Sequence, residues 1–170
     1  NPLEIRSPGA VSLTAAGAST SPTLAYGRVQ AVSGGDTPSG IAIFEWRENN
    51  VLVSEASVSA SELIRNGRIP VTVNSAMNTG IALVNPGDVA AAISFFFTDT
   101  NGEDFGHGTL QLPPHTQIAR SLTEAPFTVG NSFEGTWTFA SSVPVGVVAI
   151  RGFVNERSEF VMTTLPVIAL

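Results

Sequence analysis

Four side chains with oxygen ligands surround a predicted turn and could bind a calcium ion. Asp99, Asn101, Glu103 and Asp104 lie close together in the chain, and carboxylate and amide oxygens are the ligands that Ca²⁺ prefers. The segment lacks the spacing of an EF-hand, because its last ligand position, counted from Asp99, would be Leu110 instead of glutamate. The same residue types dominate polar hairpin turns. The sequence therefore predicts a polar turn, with a weak calcium site as the alternative.

The residues that could catalyse hydrolysis or bind zinc form no recognisable pattern. His107 and His115 are the only imidazoles, and neither strand parity nor a tight turn brings them together, which argues against a zinc site. Serine is abundant, but no G-x-S-x-G elbow accompanies it. Glu45 and Glu55 flank one hairpin as a glycosidase pair would, and exposed strand positions explain them equally well. The sequence predicts a protein that is not an enzyme and uses no cofactor.

Three aromatic residues are candidates for a ligand-binding surface. Tyr26, Trp46 and Phe153 could line a platform for carbohydrate, because an aromatic ring stacks on the apolar face of a sugar. Trp46 also has a structural interpretation, since it shares strand parity with Phe44 while Ile43 lies on the other face. A strand that is apolar on both faces is typical of a sandwich interior or an interface. Both interpretations of Trp46 stay open at this point.

Composition excludes several classes of site and partner. The chain has no Cys and no Lys, which excludes disulfides, thiol nucleophiles and Schiff-base lysines. Its net charge is −6 and its 8 cations are scattered Arg residues, whereas nucleic-acid binding needs a clustered basic face. No apolar run is long enough to span a bilayer. Charged residues make up only 13% of the chain, which favours a secreted protein with a surface of Ser, Thr, Asn and Gly.

The elements that would position these residues are predicted to be β-strands throughout. Asn49-Asn50 and Asn101-Gly102 are turn signals between apolar segments. Only two short segments, 60–66 and 120–124, could form single helical turns. The strands are predicted at 24–32, 39–47, 50–57, 69–73, 79–84, 89–98, 105–112, 115–121, 133–140, 144–154 and 158–165. This pattern predicts an all-β fold, an antiparallel β-sandwich or flattened barrel with only short helical turns, as one domain over residues 24–170.

Alternating apolar residues on these strands predict the core. Alternation places them on one face of each strand, where burial of a large side chain contributes about 1.5–3 kcal/mol. The predicted core consists of Ile41, Ile43, Val51, Val53, Ile81, Leu83, Ile93, Phe95, Phe97, Leu110, Leu112, Trp137, Phe139, Val147, Ala149, Phe160 and Met162.

A β-unit occurs twice in the chain, over about 24–57 and 133–165. The copies begin at Gly27 and Gly135, an offset of 108, and continue from Pro38 and Pro144, an offset of 106. The difference in length falls in a Gly-rich turn, where insertions are tolerated. The repeat predicts that the two copies have the same strand pairing, with Gly40 and Gly146 in equivalent positions.

The first part of the chain, residues 1–23, is predicted to be an extended leader. Leu3 and Ile5, then Val11 and Leu13, alternate with polar residues, as in a strand that has no local hairpin partner. Such a segment could be a flexible linker or a donor strand that adds to a neighbouring sheet. These four residues are therefore the candidates for strand exchange.

Several segments together resemble an uncharacterised β-module of large secreted or surface proteins of soil bacteria. The resemblance is carried by Asn78–Pro86, Ile93–Asp99, Leu112–Pro114 and Thr163–Pro166, and it covers nearly all of the chain from Leu24 onward. It implies an extracellular β-sandwich, often within a longer polypeptide. It implies no catalytic residues.

Two hypotheses about function follow. The first is a non-catalytic extracellular structural module, such as a scaffold, an adhesin or a self-assembling filament subunit, which associates with itself or with other surface-protein domains. The alternative is a carbohydrate-binding module of a secreted hydrolase, with a glycan as its partner. Neither hypothesis requires a metal, a nucleic acid or a membrane span.

Overall fold

The computed structural model describes residues 4–6, 8–14, 25–32 and 35–170 of the chain, which divides into two units, Asn1–Ser39 and Gly40–Leu170. The described residues of the first unit form no strand or helix. The strand expected at 24–32 is therefore absent over 25–32, and the compact β-unit begins at Gly40 instead of residue 24. None of the described residues pairs with 25–32 in a ladder, and a strand is stabilised by its neighbours in a sheet.

The second unit consists of strands joined by turns. They are β1 (Ile41–Glu48), β2 (Val51–Ser59), β3 (Ile64–Val73), β4 (Met77–Asn85), β5 (Ala91–Asp99), β6 (Asp104–Leu112), β7 (Thr116–Ser121), β8 (Phe133–Val154), β9 (Phe160–Leu165) and β10 (Ile168–Ala169). The described residues contain no helix, so the two predicted helical turns are wrong. Residues 64–66 belong to β3, and Arg120 and Ser121 end β7. Within the described ranges, no helix is long and apolar enough to cross a membrane.

Two antiparallel sheets share the long strand β8. In the first sheet the strand order is β10, β3, β8, β5, β6, and in the second it is β7, β4, β8, β9. Ser141 is the last β8 residue paired with β5, and Gly146 is the first paired with β4. Pro144 lies between them, at the passage from one sheet to the other, where no ladder bond is required of it. The sheets do not close into a barrel, so the all-β sandwich prediction is confirmed.

The core lies between the two sheets and is rich in aromatic rings. Trp137 is completely buried and stacks on Phe139, with ring centroids 5.1 Å apart. Phe127 meets Trp137 edge-to-face at 5.5 Å. Residues that the sequence did not assign to the core are Ile69, Val71, Val73, Leu122, Phe127 and Val145. Residues that it assigned wrongly, and that are exposed, are Ile41, Ile43, Val51 and Phe160.

The strands β1 and β2 form a hairpin of their own, which lies beside β9. Its turn residues Asn49 and Asn50 have φ values of 49° and 66°, the left-handed conformation that a tight hairpin requires and that Asn tolerates. The Oγ of Ser54 in β2 accepts a hydrogen bond of 3.0 Å from the backbone N–H of Met162 in β9. Ser54 and Ala56 are buried, so this face of the hairpin packs towards the sandwich.

Candidate functional site

The candidate calcium ligands stabilise their own turn. Asp99 ends β5, and its Oδ1 accepts hydrogen bonds from the backbone N–H groups of Asn101 at 2.8 Å and Glu103 at 2.9 Å. The Oδ1 of Asp104 instead accepts a bond of 2.7 Å from the Oγ1 of Thr98. The carboxylates therefore do not converge on a common point. The described part of the chain has no group of three or more His, Cys, Asp or Glu that could hold a metal.

The Asp99 cap makes stability depend on pH. The pKa of Asp99 is below its ordinary value, mainly because the backbone N–H of Glu103 donates to it, with further bonds from Asn101. A carboxyl with a lowered folded pKa contributes stability above its unfolded pKa and loses it as pH falls through the folded pKa. We expect Asp99→Asn to be less stable than the native chain at about pH 6 and equally stable near pH 2.

Urea unfolding of both proteins across this pH range measures the difference. Glu103→Gln is the control, because it keeps the backbone N–H that donates to Asp99 and should retain the pH dependence. If the difference in stability between the native chain and the Asp99→Asn variant is constant with pH, the assignment of the cap is wrong.

The two predicted platform residues of the unit Gly40–Leu170, Trp46 and Phe153, do not share a face. Trp46, which is 44% exposed, meets Phe160 edge-to-face, with centroids 5.7 Å apart and an interplanar angle of 70°. Phe153 pairs with Val161, the neighbour of Phe160, so strand alternation places Phe153 on the opposite face of the β8–β9 ladder. Tyr26 is exposed and belongs to the other unit. The sequence did not reveal Phe160 as the partner of Trp46, because the two residues lie on different hairpins.

The other titratable candidates have local partners. His115 Nε2 lies 2.9 Å from Asp88 Oδ1, and the His107 ring stacks on Phe96 with centroids 5.5 Å apart. Glu45 lies opposite Glu55 in the β1–β2 ladder, and its Oε2 accepts a hydrogen bond of 2.8 Å from the Nε of Arg47. All of these contacts lie at the surface, and none combines a nucleophile, a base and an orienting group as catalysis requires.

The strand-exchange candidates lie in the first unit. Ile5, Val11 and Leu13 are exposed and are not part of a strand, while Leu3 lies outside the described residues. Strand exchange by the leader therefore stays a prediction.

A groove of about 660 Å³ separates the end of β2 from β8 and β9. Ser57, Ser59, Ile64 and Leu165 contribute to its lining, and Glu62 is its one ionisable lining residue among those described. A single carboxylate above small and apolar side chains provides no pair of groups for acid–base chemistry. The groove is a gap between packed elements and lacks the convergent polar groups of a ligand site.

The outward face of the β1–β2 hairpin is the strongest candidate for an interaction site. Ile41 and Ile43 are 63% and 57% exposed, although they alternate as core residues would. Within the unit Gly40–Leu170, β1 pairs only with β2, so its other edge presents free backbone N–H and C=O groups. The same face also carries Glu45 opposite Glu55. The two exposed isoleucines beside an open strand edge are the feature suited to binding another β-structure.

The fold defines the chain as an all-β sandwich protein, and comparison with known proteins supports that class. No protein-family model and no curated protein matches the chain. The crystal structure of Thermotoga maritima 1070 aligns with a TM-score of 0.51 at 16% identity, covering 62% of this chain and 95% of that one. Anabaena sensory rhodopsin transducer aligns with a TM-score of 0.46 at 16% identity, covering 54% of this chain and 99% of that one. The similarity to Thermotoga maritima 1070 is evidence of a shared fold only.

Proposed function

We propose that the chain is a non-catalytic structural module of an extracellular protein, which assembles with other β-modules as part of a scaffold, adhesin or filament. The observation that carries the proposal is the exposure of Ile41 and Ile43 on β1, beside a strand edge that has no partner within the unit Gly40–Leu170. Exposed apolar patches on soluble proteins mark sites that a partner covers. Main-chain hydrogen bonds at the open edge would add affinity to this contact.

Composition supports an extracellular assembly role. Only 13% of the residues are charged, so little like-charge repulsion opposes close packing of modules. The titratable side chains with resolved contacts cap turns or form surface pairs, as Asp99 and His115 do. The resemblance to modules of secreted bacterial proteins supports the same location.

The carbohydrate-binding alternative has less support from the geometry. A sugar-stacking platform needs ring faces that are open and roughly coplanar, whereas Trp46 and Phe160 meet at 70° and Phe153 lies on the other face of its ladder. A glycan-array screen tests this alternative directly, and specific binding that Trp46→Ala removes would favour it over the structural role.

Light scattering over a range of protein concentrations tests the proposed assembly. We expect the apparent mass of the native chain to rise with concentration, and Ile43→Asp to suppress the rise because it replaces one of the two exposed isoleucines with a charged residue. Val89→Asp is the matched control, because Val89 is an exposed aliphatic residue in the turn before β5. A native chain that stays monomeric at every concentration would refute self-association.

Deletion of residues 1–20 distinguishes the two routes to assembly. If the leader is the donor strand, the truncated chain loses its association while the native hairpin is intact. If the β1 face is the contact, the truncated chain associates as the native chain does.

A further inference from the structure

The β1–β2 hairpin is a second copy of the hairpin that closes the sandwich. The sequence offset of 106 places Gly40 at Gly146 and Ile43 at Ala149. In the ladders, Ile43 pairs with Ser57 of β2 and Ala149 pairs with Leu165 of β9. Both copies therefore contain a strand followed by an antiparallel return strand. The prediction that the two copies share all of their strand pairing is wrong, because residues 25–32 form no strand whereas 133–140 belong to β8, and Gly40 precedes β1 whereas Gly146 lies within β8. The structural repeat is confined to the hairpin, residues 40–59.

The two copies differ in what lies on their other edge. The C-terminal part of β8 pairs with β9 on one edge and with β4 on the other, where Leu83 faces Val147 and Ile81 faces Ala149. In the hairpin, β1 pairs with β2 as β8 pairs with β9. Within the unit Gly40–Leu170, no strand pairs with the other edge of β1. The missing neighbour is thus the equivalent of β4.

Burial differs in the same way. Val147 and Ala149 are 4% and 1% exposed and belong to the core, whereas their equivalents Ile41 and Ile43 are 63% and 57% exposed. Apolar residues that alternate in this way are typical of a strand face that packs in a core. Over residues 41–43, β1 therefore has the pattern of a core strand, and within the unit Gly40–Leu170 no core covers it.

The glycines give an independent indication of the missing strand. A Cβ added at Gly146 would lie 2.7 Å from the Cγ1 of Val84 in β4, so a larger residue here would force the Val84 side chain to shift. At Gly40 an added Cβ would have nothing within 4 Å among the described residues. Gly40 immediately precedes β1, where a strand in the position of β4 is expected to approach it as Val84 approaches Gly146.

We infer that β1–β2 is the closing hairpin of a second sandwich, and that its partner is a second copy of the strand set β3–β7, equivalent to residues 60–132. The register in β8 predicts the pairing: Ile41 and Ile43 face the copies of Leu83 and Ile81. An intact chain cannot supply this strand, because its β4 already pairs with β7 and β8, so any self-association of intact chains at β1 would use a different pairing. The partner is therefore a strand set that lacks a closing hairpin of its own.

The first unit is consistent with this inference. Gly27 is equivalent to Gly135, and residues 25–32 are equivalent to 133–140 of β8, which pair with β3 on one edge and β5 on the other. Residues 25–32 are exposed or partly exposed and form no strand. If copies of β3 and β5 are present, residues 25–32 are expected to form a strand that continues into β1, just as the N-terminal part of β8 continues into its C-terminal part.

An insertion into the full chain tests the inference. A second copy of residues 60–132 is placed between residues 24 and 25, so that it precedes 25–59 as the native 60–132 precedes 133–165. Amide hydrogen exchange is then measured for peptides from 25–32 and 41–48. We expect exchange in both segments to slow by at least about a hundredfold relative to the native chain, because their amides enter a closed sheet.

Gly40→Val is the matched variant. In the native chain it is expected to leave the melting temperature unchanged, because nothing lies within 4 Å of the added Cβ. In the chain with the insertion it is expected to abolish the slow exchange, since the valine would clash with the copy of Val84.

Each other outcome overturns the inference. If the inserted copy remains unfolded, or pairs with 133–165 and leaves 41–48 exchanging rapidly, β1–β2 is not a closing hairpin. The inference rests on the proposed structural role and specifies the partner of β1. Different measurements test the role and the pairing. A monomeric native chain removes self-association, whereas the exchange of 41–48 after the insertion decides the pairing of the hairpin.

Discussion

Replacing Asn85 with alanine is expected to lower the free energy of unfolding by about 3 kcal/mol, a large part of the stability of an ordinary domain. Asn85 ends β4 and is fully buried. The two hydrogens of its Nδ2 are shared among three carbonyl oxygens, those of Val89 at 2.8 Å, Leu112 at 3.0 Å and Pro113 at 3.2 Å. Its Oδ1 accepts a bond of 3.1 Å from the N–H of Gly87. Alanine would leave these groups without partners, and each such group costs about 1–3 kcal/mol.

Asn85→Asp is expected to destabilise the protein further as pH rises. The aspartate has the same shape but turns oxygen atoms towards the three carbonyl groups that now accept hydrogen bonds. Burial raises the pKa of such a carboxyl, so its protonated form is favoured in the folded state. Stability is therefore highest below the unfolded pKa of aspartate and falls as pH rises through the folded pKa.

Chemical unfolding followed by tryptophan fluorescence measures both variants, because Trp137 is buried and its emission shifts on exposure to water. Asn66→Ala is the control. Asn66 is an exposed residue of β3, and surface substitutions usually change stability by less than about 0.5 kcal/mol. Equal effects at Asn66 and Asn85 would show that Asn85 does not connect the β4–β5 turn to the β6–β7 turn.

The positions of most strands could be predicted from turn signals and alternation. Asn49-Asn50 and Asn101-Gly102 mark two of the turns, and the segments between such signals became β1, β2, β5 and β6. The role of Asn85 could not be predicted. Its partners Leu112 and Pro113 lie where β6 ends and the distant β6–β7 turn begins, and the sequence alone does not indicate which strand ends and turns meet.

The strand β8 shows where local patterns mislead. Pro144 indicated a break between strands at 133–140 and 144–154, yet β8 is continuous from Phe133 to Val154. The proline falls where β8 passes from the first sheet to the second, so its lack of an N–H costs no ladder bond. Periodicity describes neighbours on one strand, whereas the change of sheet is a property of the whole fold.

Core residues in loops were missed for a similar reason. Leu122 and Phe127 are buried, but the segment between β7 and β8 has no alternation that would indicate it. Phe127 is placed by its contact with Phe95, where the ring centroids are 5.3 Å apart. The exposed face of β1 is the opposite case. Ile41 and Ile43 have a core pattern, and only the three-dimensional arrangement shows that no core covers them.

The candidate site could be predicted only in part. Asp99 was correctly placed at a turn, because Asp and Asn favour turns through hydrogen bonds to their own backbone. The relation between Trp46 and Phe160 depends on how the hairpin β1–β2 lies against β9. That contact is made by residues far apart in the sequence, so no spacing could indicate it.

Gly135→Ala is expected to destabilise the protein by about 2–4 kcal/mol, whereas the equivalent change in the first copy of the repeat, Gly27→Ala, is expected to be neutral or slightly stabilising. A Cβ at Gly135 would collide with the carbonyl oxygen of Thr98 and lie 2.7 Å from the Phe133 ring. The backbone there cannot withdraw, because Gly135 pairs with Val71 on one edge and β5 on the other. At Gly27 an added Cβ has nothing within 4 Å among the described residues. Urea denaturation of the two variants measures the difference, and equal losses of stability would contradict the steric account.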